Sequence, residues 1–123
     1  MGSKKILVVD DSRTFRHLEE ELLKRNGYAL LQAENGAQAL QVAARETPDL
    51  ILLDLQMPVM DGAKALAALK SGDQTAGIPV VMITTLSEKG QHSQLLAAGA
   101  IKVLVKPLDA ADLIDTIRVV LND

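Results

Sequence analysis

Three aspartates, a threonine and a lysine are the residues of this chain whose types and positions could do chemistry together. Asp10 and Asp11 directly follow the apolar run ILVV, Asp54 follows DLILL, Thr84 closes PVVMIT, and Lys106 follows IKVLV. Each stands where an apolar run stops. If those runs lie side by side, three carboxylates, a hydroxyl and an ammonium converge. Clustered carboxylates repel: two unit charges about 4 Å apart cost roughly 4 kcal/mol at an effective dielectric of about 20. A hard divalent cation with oxygen ligands relieves this, and Mg²⁺ suits one or two carboxylates plus waters. Lys106 adds a further positive charge. Such a cluster is poised to receive a phosphoryl group, since a carboxylate can attack phosphorus and form an aspartyl phosphate. The cation and the lysine would offset charge on the transferring oxygens, and the threonine hydroxyl could donate to them.

The intervening sequence must bring these residues together. Apolar runs at 5–9, 28–33, 49–53, 79–84 and 101–105 read as strands. Between and after them, helical periodicity covers 12–26, about 36–46, about 62–71, about 88–98 and 109–121. In the first helix Phe15, Leu18, Leu22 and Leu23 read as the inward stripe, and the charged run EEELLKR (19–25) as its wet face. Ser12 or Asp11 can cap that helix and Gly27 suits its end. Asn35 and Asp61 cap the second and third helices, and Gly99 closes the fourth. The β-α unit repeated five times, with strands apolar on both faces, implies a parallel sheet between helical layers. Ligands of such sheets collect beyond the carboxyl ends of the strands. Every one of the five residues stands there, whereas the end of the second strand, Ala33-Glu34, reads as outside the site.

Composition narrows the classes. The 123 residues read as one domain over 1–123. A net charge of -3 argues against a broad nucleic-acid or membrane surface. The absence of cysteine excludes disulfides, thiolate chemistry and zinc sites with Cys ligands, and a cytoplasmic location fits. No apolar run approaches the roughly 20 residues of a membrane span.

The stretches VVDDS (8–12), LLDLQMPVMDG (52–62), ITT (83–85) and VKP (105–107) resemble the receiver domain of bacterial two-component response regulators, over essentially the whole length. The resemblance implies a flavodoxin-like (βα)5 three-layer sandwich. It also supplies the strand order 2-1-3-4-5, of which a chemotaxis receiver is a standard example. It implies that Asp54 is the phosphoacceptor. Asp11 and Asp54 would be direct Mg²⁺ ligands, with the Gln56 backbone carbonyl as another and Asp10 acting through water. Thr84 would be the switch hydroxyl that follows the phosphoryl group, and Lys106 the ion-pair partner of that group, preceding a cis Pro107. The donor would be a sensor histidine kinase or histidine phosphotransfer protein. The output would be a downstream protein target or effector domain, with no direct nucleic-acid binding and no enzymatic action on other substrates.

Val103 departs from the pattern, because most receivers carry Tyr or Phe there. Neither aromatic of this chain, Phe15 or Tyr28, is expected nearby. The surface change on phosphorylation is therefore expected to be smaller or differently routed. Gln56 and Leu86 occupy the variable positions thought to tune phosphoryl lifetime, and Thr85 stands where a smaller residue is common. His17 and His92 read as solvated helix residues, and Met57 and Met60, flanking Pro58, as packing. The runner-up function is a degenerate receiver that acts only as an interaction module. A haloacid-dehalogenase-type phosphatase would need an acid at position 56, which is Gln. A flavin carrier would not place DDS against a flavin phosphate.

Overall fold

A computed structural model describes residues 3–57, 60–85 and 91–122. Five strands, β1 (Lys5–Val9), β2 (Ala29–Ala33), β3 (Leu50–Asp54), β4 (Val80–Thr84) and β5 (Lys102–Val105), pair in parallel in the order β2-β1-β3-β4-β5. Five helices alternate with them: α1 (Arg13–Arg25), α2 (Gly36–Glu46), α3 (Gly62–Ser71), α4 (His92–Ala97) and α5 (Ala110–Leu121). The expected architecture and strand order are thus observed. Residues 88–90, where the fourth helix was expected to begin, lie outside the described residues, as do Pro58 and Leu86.

The two-residue period of the strands divides the core. Leu7, Val9, Ile51, Leu53 and Met82 face α2, α3 and α4, where Leu66 and Leu95 meet them. Ile6, Val8, Leu52, Ile83 and Leu104 face α1 and α5, where Leu23, Leu113 and Ile117 meet them. With both faces covered, every residue of β3 and β4 is buried, as a central parallel strand requires.

The helices begin where side-chain oxygens replace missing backbone acceptors. Ser12 Oγ accepts from the Phe15 N–H at 3.2 Å, Asn35 Oδ1 from Gln38 at 2.8 Å and Asp61 Oδ1 from Lys64 at 2.9 Å. Ser12, not Asp11, caps α1. Gly27 and Gly99 follow α1 and α4 with φ of +88° and +116°, where a side chain would be strained.

The orientation of α1 departs from expectation. Leu18 is 61% exposed, while Arg16, Glu19, Glu20 and Leu23 are the buried residues of the helix. The run at 19–25 is therefore not simply a wet face: Glu19 and Glu20 are only 4% and 8% exposed. Positions 16, 19, 20 and 23 share one helical face, so the helix is turned from the stripe that leucines 18 and 22 suggest. This rotation brings charged side chains beneath the carboxyl end of β1.

Candidate phosphoacceptor and metal site

Parallel register assembles the site. Val9 pairs with Leu53 and Asp54 with Ile83, so Asp10 emerges beside Asp54. Thr84 lies level with Val105, and its carbonyl accepts from the Lys106 N–H at 2.7 Å. Lys106–Pro107 is a cis peptide, as expected. Three of the carboxylates meet: oxygens of Asp10, Asp11 and Asp54 all lie within 4.8 Å of one another. Asp10 and Asp54 are buried and Asp11 is exposed, giving a cleft with an acidic floor and one wet side. Lys106 Nζ bridges the two buried acids, 3.4 Å from Asp54 Oδ2 and 3.5 Å from Asp10 Oδ2.

The strand end is held from below. Asp10 Oδ1 accepts from the Ser12 N–H at 2.8 Å. Arg16 Nη1 donates to the Asp10 carbonyl at 2.6 Å, and Arg16 Nη2 lies 3.9 Å from Glu34 Oε1. Glu34 thus stays out of the carboxylate cluster, as expected, but steadies the arginine that grips β1. On the far side of Asp54, α3 begins at Gly62. A Cβ there would collide with the Asp54 carbonyl oxygen and Leu55 Cα. The Gly62 N–H donates to the Leu55 carbonyl at 2.7 Å. Asp61-Gly62 is structural, as expected, and it sets how closely α3 approaches the site.

Electrostatics mark Asp54 as the focal group. Burial, then the neighbouring Asp10, push its carboxyl up to about 6 against the opposing pull of Lys106 and the Gln56 backbone N–H. Burial works against the Lys106 ammonium, but Asp54 and Asp10 outweigh it and hold its pKa above the ordinary lysine value. The acids therefore exceed what one ammonium can neutralise. This set of hard oxygen donors, with repulsion left over, fits Mg²⁺, and Asp10, Asp11 and Asp54 are the side chains that would hold it. Gln56, expected to add its carbonyl, lies in the turn just after Asp54.

Four contributors escaped the sequence reading. Phe15, expected on the inward stripe of the first helix and not near Val103, stands with its ring centroid 4.2 Å from Lys106 Nζ, a cation–π contact. It closes a ring of contacts, since its N–H is held by Ser12, which is held by Asp10, which is paired to Lys106. Arg16 is the second. Glu19 is the third: burial, then Asp10, raise its carboxyl to about 8, with Lys106 opposing. Among the described residues its two oxygens have no hydrogen-bond partner. His92, expected to be solvated, is the fourth: it is partly buried, and its Nε2 lies 3.3 Å from Thr84 Oγ1. The one available signal was spacing, since Phe15 and Glu19 stand four apart on the helix that starts at the acidic turn. Tyr28 lies in the core between the sheet and α1 and α5, and Met57 and Met60 pack against the opposite core, as expected.

Comparison with known proteins agrees with this geometry. Residues 6–118 match the family model described as the response regulator receiver domain. The chain is 43% identical over 116 residues to response regulator PleD of Caulobacter vibrioides, covering 94% of this chain but only 26% of that protein. It is 36% identical to sporulation initiation phosphotransferase F of Bacillus subtilis, covering 96% and 94% of the two chains. Among solved structures, it superposes with a TM-score of 0.90 on the receiver domain of sensor histidine kinase PA1611 from Pseudomonas aeruginosa. That match has 27% identity and covers 99% and 100% of the chains; the PA1611 structure has a magnesium ion coordinated in its active site cleft.

Proposed function

Because the chain belongs to the response regulator receiver domain family, we propose that it accepts a phosphoryl group on Asp54 and signals through a conformational switch. The donor is a sensor histidine kinase or histidine phosphotransfer protein, the reaction depends on Mg²⁺, and the setting is the cytoplasm. Among the described residues no helix is long and apolar enough to cross a membrane. The observation that carries the reading is the Asp54 carboxylate, raised to about 6 and held 3.4 Å from Lys106 beside Asp10 and Asp11.

An Asp54 oxygen attacks the phosphorus of a phosphohistidine. The P–N bond breaks, its electrons stay on the imidazole, and the phosphoryl group ends on Asp54. Above about pH 6 the Asp54 oxygen is unprotonated and nucleophilic. Lys106 offers its ammonium protons to the incoming oxygens, Phe15 covers one side of that ammonium, and the Ser12 and Arg16 bonds hold Asp10 in place. Mg²⁺ would supply charge neutralisation on the transferring oxygens. The chain promotes its own modification and does not turn over other substrates. Downstream targets then read the modified form.

Intact-mass measurement after incubation with acetyl phosphate and Mg²⁺ tests this. One added phosphoryl group, lost in Asp54→Asn, is the expected result. An unmodified parent would instead favour a degenerate receiver that works by interaction alone.

A further inference from the structure

Thr84 is 1% exposed, and its hydroxyl contacts His92 Nε2 at 3.3 Å. His92 is the first residue of α4, and three residues later Leu95 plugs that helix into the core. The imidazole is therefore a direct tie between the end of β4 and the body of α4. No phenylalanine or tyrosine ring makes this tie. Position 103 on the neighbouring strand is valine, and the two aromatics of the chain are engaged elsewhere, Phe15 at Lys106 and Tyr28 in the opposite core.

We propose that His92 is the positioning residue for the Thr84 hydroxyl and transmits its state to α4, a coupling that Val103 cannot provide. The inference rests on the reading of Asp54 as phosphoacceptor. The coupling uses the tautomer with the ring proton on Nδ1, in which Thr84 Oγ–H donates to Nε2 across the 3.3 Å contact. A threonine has one hydroxyl proton to give. At 3.3 Å the contact with nitrogen is long, whereas a phosphoryl oxygen on Asp54 offers a shorter, charge-assisted acceptor. Once the hydroxyl turns to that oxygen, Nε2 loses its donor and the amino end of α4 is released. No bond to carbon or phosphorus changes in this step; one hydrogen bond is exchanged for another.

The test uses the full chain with Mg²⁺ and beryllofluoride as the phosphoryl mimic. Nitrogen spectra of the imidazole and amide spectra of the backbone are recorded for the parent, His92→Leu and His92→Gln. Gln can reach with an amide to the place of Nε2, while Leu fills space without a polar atom. In the parent, the His92 Nε2 signal should shift together with amides near Asp54 and Lys106 and with those of Leu95 and Ala97. His92→Leu should keep the shifts near Asp54 and Lys106 but lose those at Leu95 and Ala97, and His92→Gln should restore them. An unmoved Nε2 signal beside a shifted Asp54 region would overturn the inference. So would undiminished α4 shifts in His92→Leu. No shift near Asp54 or Lys106 in the parent would instead defeat the phosphoacceptor reading, and this inference with it.

Discussion

Replacing Glu19 by glutamine should flatten the pH dependence of stability. The folded protein holds the Glu19 proton up to about pH 8, whereas an exposed glutamate releases it near 4.5. Between those values the folded state binds more protons than the unfolded one, so stability falls as pH rises. On this group's account stability is greatest below 4.5 and is lost progressively until the folded carboxyl ionises. At pH 7 the unfolded group lies 2.5 units above its pKa of 4.5. At about 1.36 kcal/mol per unit, keeping the proton on in the folded state costs about 3 kcal/mol. Glutamine preserves the volume and does not titrate. Its own buried amide adds an offset that pH does not alter, so the slope is the diagnostic quantity. Urea unfolding at pH 5, 6, 7 and 8 should show the Glu19→Gln protein gaining about 3 kcal/mol on the parent from the lowest to the highest pH. Asp54 also has a raised carboxyl, at about 6, so the pair is compared in an Asp54→Asn background as well. Parallel stability curves would refute the claim that Glu19 is buried as an acid. Bound Mg²⁺ should lessen the effect, because positive charge beside Asp10 removes part of what raises Glu19.

Four further outcomes follow from the site. Mg²⁺ affinity, measured by calorimetry, should be level above about pH 6 and fall by up to about tenfold per unit below it, as one proton on Asp54 competes with the ion. Lys106→Met should leave the fold intact but slow labelling by acetyl phosphate about 10- to 100-fold, the loss of one charged hydrogen bond worth about 1.5–3 kcal/mol. Phe15→Leu should weaken beryllofluoride binding only about two- to fivefold, from a cation–π contact worth about 0.5–1 kcal/mol, with Phe15→Tyr close to the parent. Gly62→Ala should lower stability by about 1–3 kcal/mol in urea unfolding, because the new methyl meets backbone rather than a flexible side chain.

What the sequence made legible and what it hid follow from the kind of signal each feature leaves. The strands announce themselves as apolar runs, and the site residues stand at or just past their ends, so the pattern alone puts Asp10, Asp54, Thr84 and Lys106 on one edge. Ser12, Asn35 and Asp61 were readable as caps because capping is local chemistry. The turn of α1 was not readable. Hydrophobicity counted Leu18 as inward and Glu19 as outward, but Arg16 is drawn under β1 by a charge-to-carbonyl bond that no hydropathy pattern records. Position 19 follows it inward on the same helical face. The contacts of Phe15 with Lys106 and of His92 with Thr84 join different elements, and only the assembled chain brings them together.

The glycine at the start of α3 has a consequence for how a charge arriving at Asp54 can be accommodated. A side-chain carbon at Gly62 would run into the main chain of Asp54 and Leu55, so that flank is a wall with little slack. β1 on the other side is bolted down through Arg16 and Ser12. The remaining side is that of Thr84 and Val103, where the hold on the strand end is a single 3.3 Å contact from the Thr84 hydroxyl to His92. A group added to the carboxylate thus meets main chain on two sides and one exchangeable hydrogen bond on the third, so the direction of the response is built in before any partner arrives.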